Sequence, residues 1–284
     1  MDRVRGRTVV VTGGARGIGF ATAKALLVRG ALVVIGDRDA AALHEAVAEL
    51  SLTGAVLGYP LDVANRDSFA QFLGLARSGS GGGIDVMINN AGVMPVGPFT
   101  DQPAQAIRSA LEVNLYGVLN GCQLVLPEMV ARRRGHIVNI ASMAGVMAIP
   151  GQVVYAATKY GVVGLSVALA DEIAPHGVQV SVVLPPFTQT DLIAGTKASG
   201  VGRPVEPDVV AAAIVSALDK PRTQVSVPRP ARFVGPVVSM LGARGRRWFN
   251  RRIGADTLLL DDIDHAERAF YERRAQSAMG VVER

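Results

Sequence analysis

Apolar positions along the chain fall into short unbroken runs closed by turn residues, separated by longer stretches in which apolar and polar positions recur with helical spacing. Runs of the first kind read as buried strands and stretches of the second kind as helices. Thr8-Val9-Val10-Val11 forms the first strand, and a glycine-rich turn leads from it to a helix over residues 21–27 that ends near Gly30. A second strand, 31–36, closes on Asp37. A helix around 40–50 and a short strand over 55–61 follow, ending at Asp62. The unit then repeats: a helix near 66–76, a loop at 78–83, a strand over 84–89, one long helix over 104–130 and a strand over 135–141. A helix at 154–174, a strand at 178–184, a helix near 207–218 and a strand at 223–227 complete the series. Alternating strands and helices predict an α/β fold, a parallel sheet with helices on both faces.

No Pro/Ser-rich linker interrupts residues 1–227, so these are expected to form one domain. From Pro228 to residue 284 the pattern changes to a basic extension interrupted by proline and glycine. The composition is 49% hydrophobic and only 5% aromatic, which suits closely packed helices on buried parallel strands and argues against disorder or a coiled coil. Cys122, the single cysteine, excludes an internal disulfide, and no Cys/His metal spacing surrounds it; a small core residue is expected there. The charged start of the chain leaves no room for a signal peptide, and no uninterrupted apolar run reaches the ~20 residues of a membrane span. A cytoplasmic protein, or one attached to a membrane surface, is expected.

Between the first strand and first helix lies Thr12-Gly13-Gly14-Ala15-Arg16-Gly17-Ile18-Gly19. Glycines there permit a tight turn and let backbone approach a pyrophosphate at the positive helix N-terminus. Asp37 stands at the end of the second strand, about 20 residues on, as a dinucleotide fingerprint requires. A carboxylate at that point can accept hydrogen bonds from adenosine ribose hydroxyls and would repel a 2′-phosphate, which favours NAD. Arg16 and Arg38 flank the same point and could instead neutralise a phosphate, which leaves NADP as the alternative.

Tyr155-Ala156-Ala157-Thr158-Lys159 opens a predicted helix, where i,i+4 spacing makes the phenol and the ammonium neighbours. An adjacent cation favours phenolate, so Lys159 is expected to lower the Tyr155 pKa toward the working range and make the phenol a general acid or base.

Five motifs in order, TGxxxGxG at Thr12–Gly19, Asp62-Val63, Asn89-Asn90-Ala91-Gly92, Asn114, and Ser142 thirteen residues before Tyr155-xxx-Lys159, give the chain a resemblance to the short-chain dehydrogenase/reductase family. They cover most of residues 8–190. The resemblance implies a Rossmann-type, doubly wound, seven-stranded parallel sheet, here with a C-terminal helical extension. It implies hydride transfer between a nicotinamide dinucleotide and an alcohol or ketone. Ser142 would bind the substrate oxygen, Tyr155 would exchange its proton, Lys159 would also hold the nicotinamide ribose, and Asn114 would anchor a water linking Lys159 to solvent. Gly13, Arg16, Gly17, Ile18, Gly19, Asp37 and Arg38 would cradle the cofactor. Asp62 and Val63 would touch the adenine, and Asn90, Ala91 and Gly92 would lie along the adenosine side. A dinucleotide-sensing regulator on the same fold would need the glycine loop but not the set of Asn114, Ser142, Tyr155 and Lys159.

The chain departs from the family after the sixth strand, where Pro185-Pro186-Phe187-Thr188-Gln189-Thr190 replaces the usual Pro-Gly-x-x-x-Thr. Proline at 186 fixes φ and removes an amide donor. Pro185, Thr188 and Thr190 are still expected at the nicotinamide. The segments 94–98, 143–153 and 187–196 should border the substrate, and their Met, Val, Ile, Pro and Phe side chains predict an apolar, lipid-like or steroid-like compound. The net charge of +5 is concentrated in residues 220–284, with 13 basic and 7 acidic residues. Arg244, Arg246, Arg247, Trp248, Phe249, Arg251 and Arg252 beside the apolar 233–241 segment suit an anionic membrane surface, a cover for the substrate mouth or plain packing on the domain. No recognition motif points to nucleic acid. Ala157, Gly161, Gly164 and Ala168 permit close helix contact, and the family commonly pairs through this helix and the one with Asn114, so a homodimer is expected.

Overall fold

The computed structural model describes residues 3–196, 203–260, 263–264, 266–268 and 271. Seven strands, β1 (Thr8–Thr12), β2 (Leu32–Asp37), β3 (Val56–Pro60), β4 (Val86–Asn89), β5 (Gly135–Ile140), β6 (Val178–Leu184) and β7 (Gln224–Ser226), make one sheet in the order β3-β2-β1-β4-β5-β6-β7. Every neighbouring pair is parallel. The strand order reverses between β1 and β4, and a reversal of this kind opens a crevice at the carboxyl ends of the strands.

Alternate side chains of each strand feed two separate cores. Val9, Val11, Val33, Ile35, Val86, Ile88, Val138 and Ile140 pack on one face. Opposite them lie α1 (Gly17–Val28), α2 (Ala40–Ser51) and α7 (Pro207–Asp219), through residues such as Leu26, Leu50 and Ile214. Val10, Val34, Met87, Ile137 and Val182 face the other side. There they meet α3 (Arg66–Ser80), α5 (Gly117–Ala131) and α6 (Val153–Ile173), with Phe69, Phe72, Met129 and Ile173 buried between. Each fully buried Val, Leu, Ile or Phe contributes roughly 1.5–3 kcal/mol, so the sheet is fixed from both faces. Cys122 lies in the second core, where burial pushes its thiol up to about 12. Helix starts are set by local chemistry: Asp39 accepts from Ala42 N at 3.1 Å, and Asn65 accepts from Asp67 N and Ser68 N at 2.9 and 3.0 Å.

The long helix expected over 104–130 is not continuous. It divides into α4 (Ala104–Leu111), a π-helical segment Glu112–Tyr116, and α5. Asn114 sits in the widened turn, and π segments of this kind concentrate at functional sites. Helix α3 runs to Ser80, so the expected loop at 78–83 is shortened. Among the described residues, Val153–His176 is long and apolar enough to cross a membrane. Its Tyr155, Lys159, Val162 and Ile173 are nevertheless buried in the molecule, and Val162 and Ile173 belong to the core beneath the sheet.

Beyond β7 come α8 (Val234–Met240) and α9 (Ala243–Arg252). Ala255, Leu258 and Leu259 then join Met94, Val96, Ala144, Ile149 and Tyr155 in a third apolar cluster. The extension is therefore packed against Met94, Ile149 and Tyr155 in this region.

Candidate active site

The glycine loop is held by the end of β4. The Thr12 hydroxyl accepts from Asn90 N at 3.0 Å and Ala91 N at 3.1 Å, while Asn90 Nδ2 donates to Thr12 O and Gly13 O, both at 2.9 Å. A Cβ on Gly19 would come within 2.1 Å of Gly13 O, and one on Gly13, at φ +62°, would lie 2.9 Å from Ala91 Cα. Only glycine fits either place, and the loop therefore bares its backbone to the cleft at the start of α1. Gly13, Arg16, Gly17 and Ile18 line a cavity of about 460 Å³. Asn90 and Ala91 line it too, but the side chain of Asn90 and the amide of Ala91 brace the loop.

On the acidic side, Asp37 Oδ2 accepts from Ala15 N at 3.2 Å and Oδ1 from Asp39 N at 3.1 Å. Arg16, which the sequence offers as an alternative phosphate partner, has its guanidinium 2.6 Å from Asp39. The Ala42 amide and then Arg16 hold the Asp39 carboxyl below the usual range. Arg38 lines the cavity half-buried; burial lowers its pKa, and Asp62, Asp37 and Tyr271 oppose that shift. Asp62 accepts from Ala64 N at 3.0 Å and borders the cavity together with Val63.

At the other end, Tyr155 occupies the first turn of α6 and Lys159 the next. The ammonium lies 5.6 Å from the phenol ring centroid and donates to Ile140 O at 2.9 Å. Both side chains are buried. Ser142 accepts from Ala144 N at 3.1 Å. The expectation that Lys159 lowers the Tyr155 pKa is corrected here: burial pushes the phenol up to about 12, a hydrogen bond with Ser142 pulls it down, and Tyr271 pushes it up further. Burial likewise pulls Lys159 down to about 8. Desolvation of the charged form is the leading cause of both shifts.

The Asn114 amide ties Val93 to helix α6. Its oxygen accepts from Val93 N at 2.8 Å, and Nδ2 donates to Val93 O at 2.8 Å and Thr158 Oγ1 at 3.1 Å. Thr158 in turn donates to Tyr155 O at 2.7 Å. Asn114 is thus linked to the Tyr155 backbone by two hydrogen bonds, a bracing role added to the water-anchoring one the sequence implies. Gly92 is the cleft residue beside Lys159: a Cβ there would meet Asn114 Oδ1 at 3.2 Å and Lys159 Nζ at 3.7 Å.

Pro185, Thr188 and Thr190 line the same cavity, despite proline at 186. Their loop is fixed by Val205 N to Phe187 O and Gln189 N to Val205 O, each 2.9 Å. The Thr188 hydroxyl donates to Pro186 O at 3.1 Å. Met94, Met147, Ile149, Phe187, Leu192 and Ile193 make the far wall apolar. Two residues that sequence reasoning did not single out, Arg268 and Tyr271, come from the extension. Tyr271 borders the cavity and accepts from Met94 N at 3.4 Å, with Arg268 4.3 Å over its ring.

The family model described as short chain dehydrogenase matches residues 7–199. The chain is 36% identical over 191 residues to 3-oxoacyl-[acyl-carrier-protein] reductase FabG of Thermotoga maritima, covering 67% of this chain and 77% of that protein. It is 34% identical over 225 residues to carbonyl reductase family member 4 of Xenopus tropicalis, covering 76% and 92%. A short-chain dehydrogenase/reductase from Burkholderia phymatum, solved in complex with NAD, has the same fold at a TM-score of 0.77, with 24% identity over 90% of this chain and 98% of that one. Levodione reductase superposes with a TM-score of 0.72 at 28% identity, over 78% and 96%. By its family match, its seven-stranded parallel sheet and its Ser142 beside the buried Tyr155 and Lys159, the chain belongs to the short-chain dehydrogenase/reductase family of oxidoreductases.

Proposed function

We propose that this oxidoreductase interconverts an apolar secondary alcohol and its ketone with NAD(H). The observation that carries the reading is one continuous cavity, with the bare glycine loop at one end and Ser142, Tyr155 and Lys159 beside an apolar wall at the other. The loop suits a dinucleotide because side chains are excluded at Gly13 and Gly19, where backbone must approach a pyrophosphate. When bound, the nicotinamide supplies or accepts the hydride. Ser142 and Tyr155 would bind the substrate oxygen, and Tyr155 would donate its proton as a ketone is reduced. A phenol raised to about 12 keeps that proton at neutral pH. Lys159, with its charge fixed beside Ile140 O, would stabilise the phenolate left behind. The reductase names of the relatives support chemistry at a carbonyl.

The preference for NAD rests on Asp37 at the end of β2 and on Asp39, which neutralises Arg16. NADPH is the second reading, favoured by Arg38 at the cavity wall. Fluorescence titration with NADH and NADPH decides between them; tighter NADPH binding would reverse the assignment. Tyr155→Phe tests the chemistry: turnover should fall by about 10²-fold or more with NADH affinity retained, and an active variant would remove Tyr155 from the proton step.

Two associations belong to the same reading. A homodimer through α6 and the stretch from α4 to α5 is supported by exposed Leu111 on α4, Tyr116 in the π-helical segment, and Tyr160 and Val167 on α6, and light scattering at the monomer mass would exclude it. Peripheral contact with an anionic membrane is supported by residues 220–255, which include nine basic and no acidic residues. Phe233, Met240 and Trp248 are exposed among them.

A further inference from the structure

The returning end of the chain is fastened to the substrate side of the cleft. Arg268, only 4% exposed, donates from Nη1 to Leu192 O at 3.0 Å and Ala194 O at 3.3 Å, and from Nη2 to Met94 O. A guanidinium presents several donors in a rigid fork, so this one side chain clamps together the two loops that carry Met94 and Leu192 into the cavity wall. Asp264 N donates to Gly195 O at 2.8 Å, and Thr196 forms an antiparallel bridge with Ile263. Leu258 and Leu259 pack in the cluster that contains Met94, Ile149 and Tyr155. On this platform Tyr271 is 8% exposed, stacked with the Arg268 guanidinium and hydrogen-bonded to Met94 N. It lines the same cavity as Tyr155, and its charge acts on that phenol and on Arg38.

We propose that Tyr271 is a substrate-size determinant supplied by the C-terminal extension: its ring, anchored by Arg268, caps the apolar end of the cavity and limits the group attached to the reacting carbonyl. Volume agrees with this assignment. The cavity of about 460 Å³ runs from the glycine loop to the apolar wall, so it must take the dinucleotide as well as the substrate, and it lies in the lower part of the roughly 300–1,000 Å³ range of ligand pockets. Compact apolar ketones would therefore be favoured over extended ones. Arg268 is a positioning residue for that cap, since it reaches the cavity through the carbonyls it holds.

The proposal rests on the ketone reading above, and its test separates the two. The full chain, Tyr271→Ala and Tyr271→Phe are compared for reduction of 2-butanone, 2-hexanone and 2-decanone with NADH. Binding of the same ketones to each protein with NAD is followed in parallel by saturation-transfer NMR, which needs no turnover. Tyr271→Ala should raise the 2-decanone to 2-butanone ratio of kcat/KM by about tenfold or more, at unchanged NADH affinity. Tyr271→Phe, which keeps the ring, should keep the wild-type ratio. An unchanged ratio in Tyr271→Ala overturns the proposal, as does a rise in NADH affinity with the ratio fixed, which would put the ring in the nucleotide path. If the wild type reduces none of the ketones, the ketone reading fails; the size proposal is then judged on the NMR ratio alone, and a fixed ratio there overturns it.

Discussion

The Lys159 ammonium donates to the Ile140 carbonyl across 2.9 Å, linking helix α6 to the end of strand β5. That bond fixes where the positive charge stands, and burial around it sets when the charge is lost, at about 8. Below that value Lys159 is charged and able to stabilise a phenolate; above it the charge is removed. Tyr155, raised to about 12, keeps its proton throughout this range. A profile of kcat/KM for ketone reduction should therefore be level below about 8 and fall as pH rises through it. In Lys159→Met the residual activity should lack this limb; a limb unchanged in position would assign it to another group.

Arg16 and Asp39, 2.6 Å apart, bear on the choice of cofactor. Asp39→Ser leaves an oxygen that can accept from Ala42 N, so the start of α2 is kept while Arg16 loses its anion. NADPH affinity relative to NADH should rise by about tenfold, roughly 1.4 kcal/mol. Parallel fluorescence titrations measure it, and an unaltered ratio would mean that Arg16 does not face the 2′ position.

His136 makes stability depend on pH in a definite direction. It is buried on β5, with Nε2 2.9 Å from Ser181 Oγ. Ser181 gives its own proton to Arg222 O at 2.7 Å, so Nε2–H is assigned as the donor to Ser181 and the ring is neutral. Burial first, then Arg3 and Arg7, pull its pKa from 6.5 to about 4. The unfolded chain binds the proton more readily. The contribution is complete above about 6.5 and is lost as pH falls toward about 4, the loss there amounting to roughly 3 kcal/mol. Urea denaturation at both ends of this window should show a smaller loss in His136→Gln than in the wild type; equal losses would remove His136 from the account.

Arg244, Arg246 and Arg247 on α9 sit beside Trp248, which is 62% exposed. Wild-type protein should sediment with anionic phosphatidylglycerol vesicles and not with phosphatidylcholine vesicles, an electrostatic preference screened by salt. Changing the three arginines to glutamate should return it to the supernatant. Equal recovery of wild type and variant would exclude membrane docking through α9.

What could be read from the sequence was what neighbouring residues decide. Strand β6 spans Val178–Leu184 as expected, because a β-branched apolar run broken only by Gln179 and Ser181 is closed by Gly177 and Pro185. The glycine loop was equally plain, since its constraint is steric and local at Gly13 and Gly19. The pairing of Lys159 with Ile140 was not, because a backbone carbonyl carries no residue-specific signal. The direction of the Tyr155 shift depends on how much water the folded site excludes, and i,i+4 spacing says nothing about that. Nor does spacing reveal the π-helical turn at Asn114, whose amide is bound to Val93 and Thr158. Arg268 and Tyr271 look like surface residues of a charged helix until the chain folds back and supplies three carbonyls for one guanidinium.

Thr12 has a consequence for how this cleft can change. Its single hydroxyl receives the amides of Asn90 and Ala91, so one oxygen, alongside the two bonds from Asn90 Nδ2, joins the glycine loop of the nucleotide half to the β4 end of the other half. A side chain lacking that acceptor would slacken both halves together, which makes Thr12 a place where recognition of the nucleotide and alignment for chemistry are inherited as one trait.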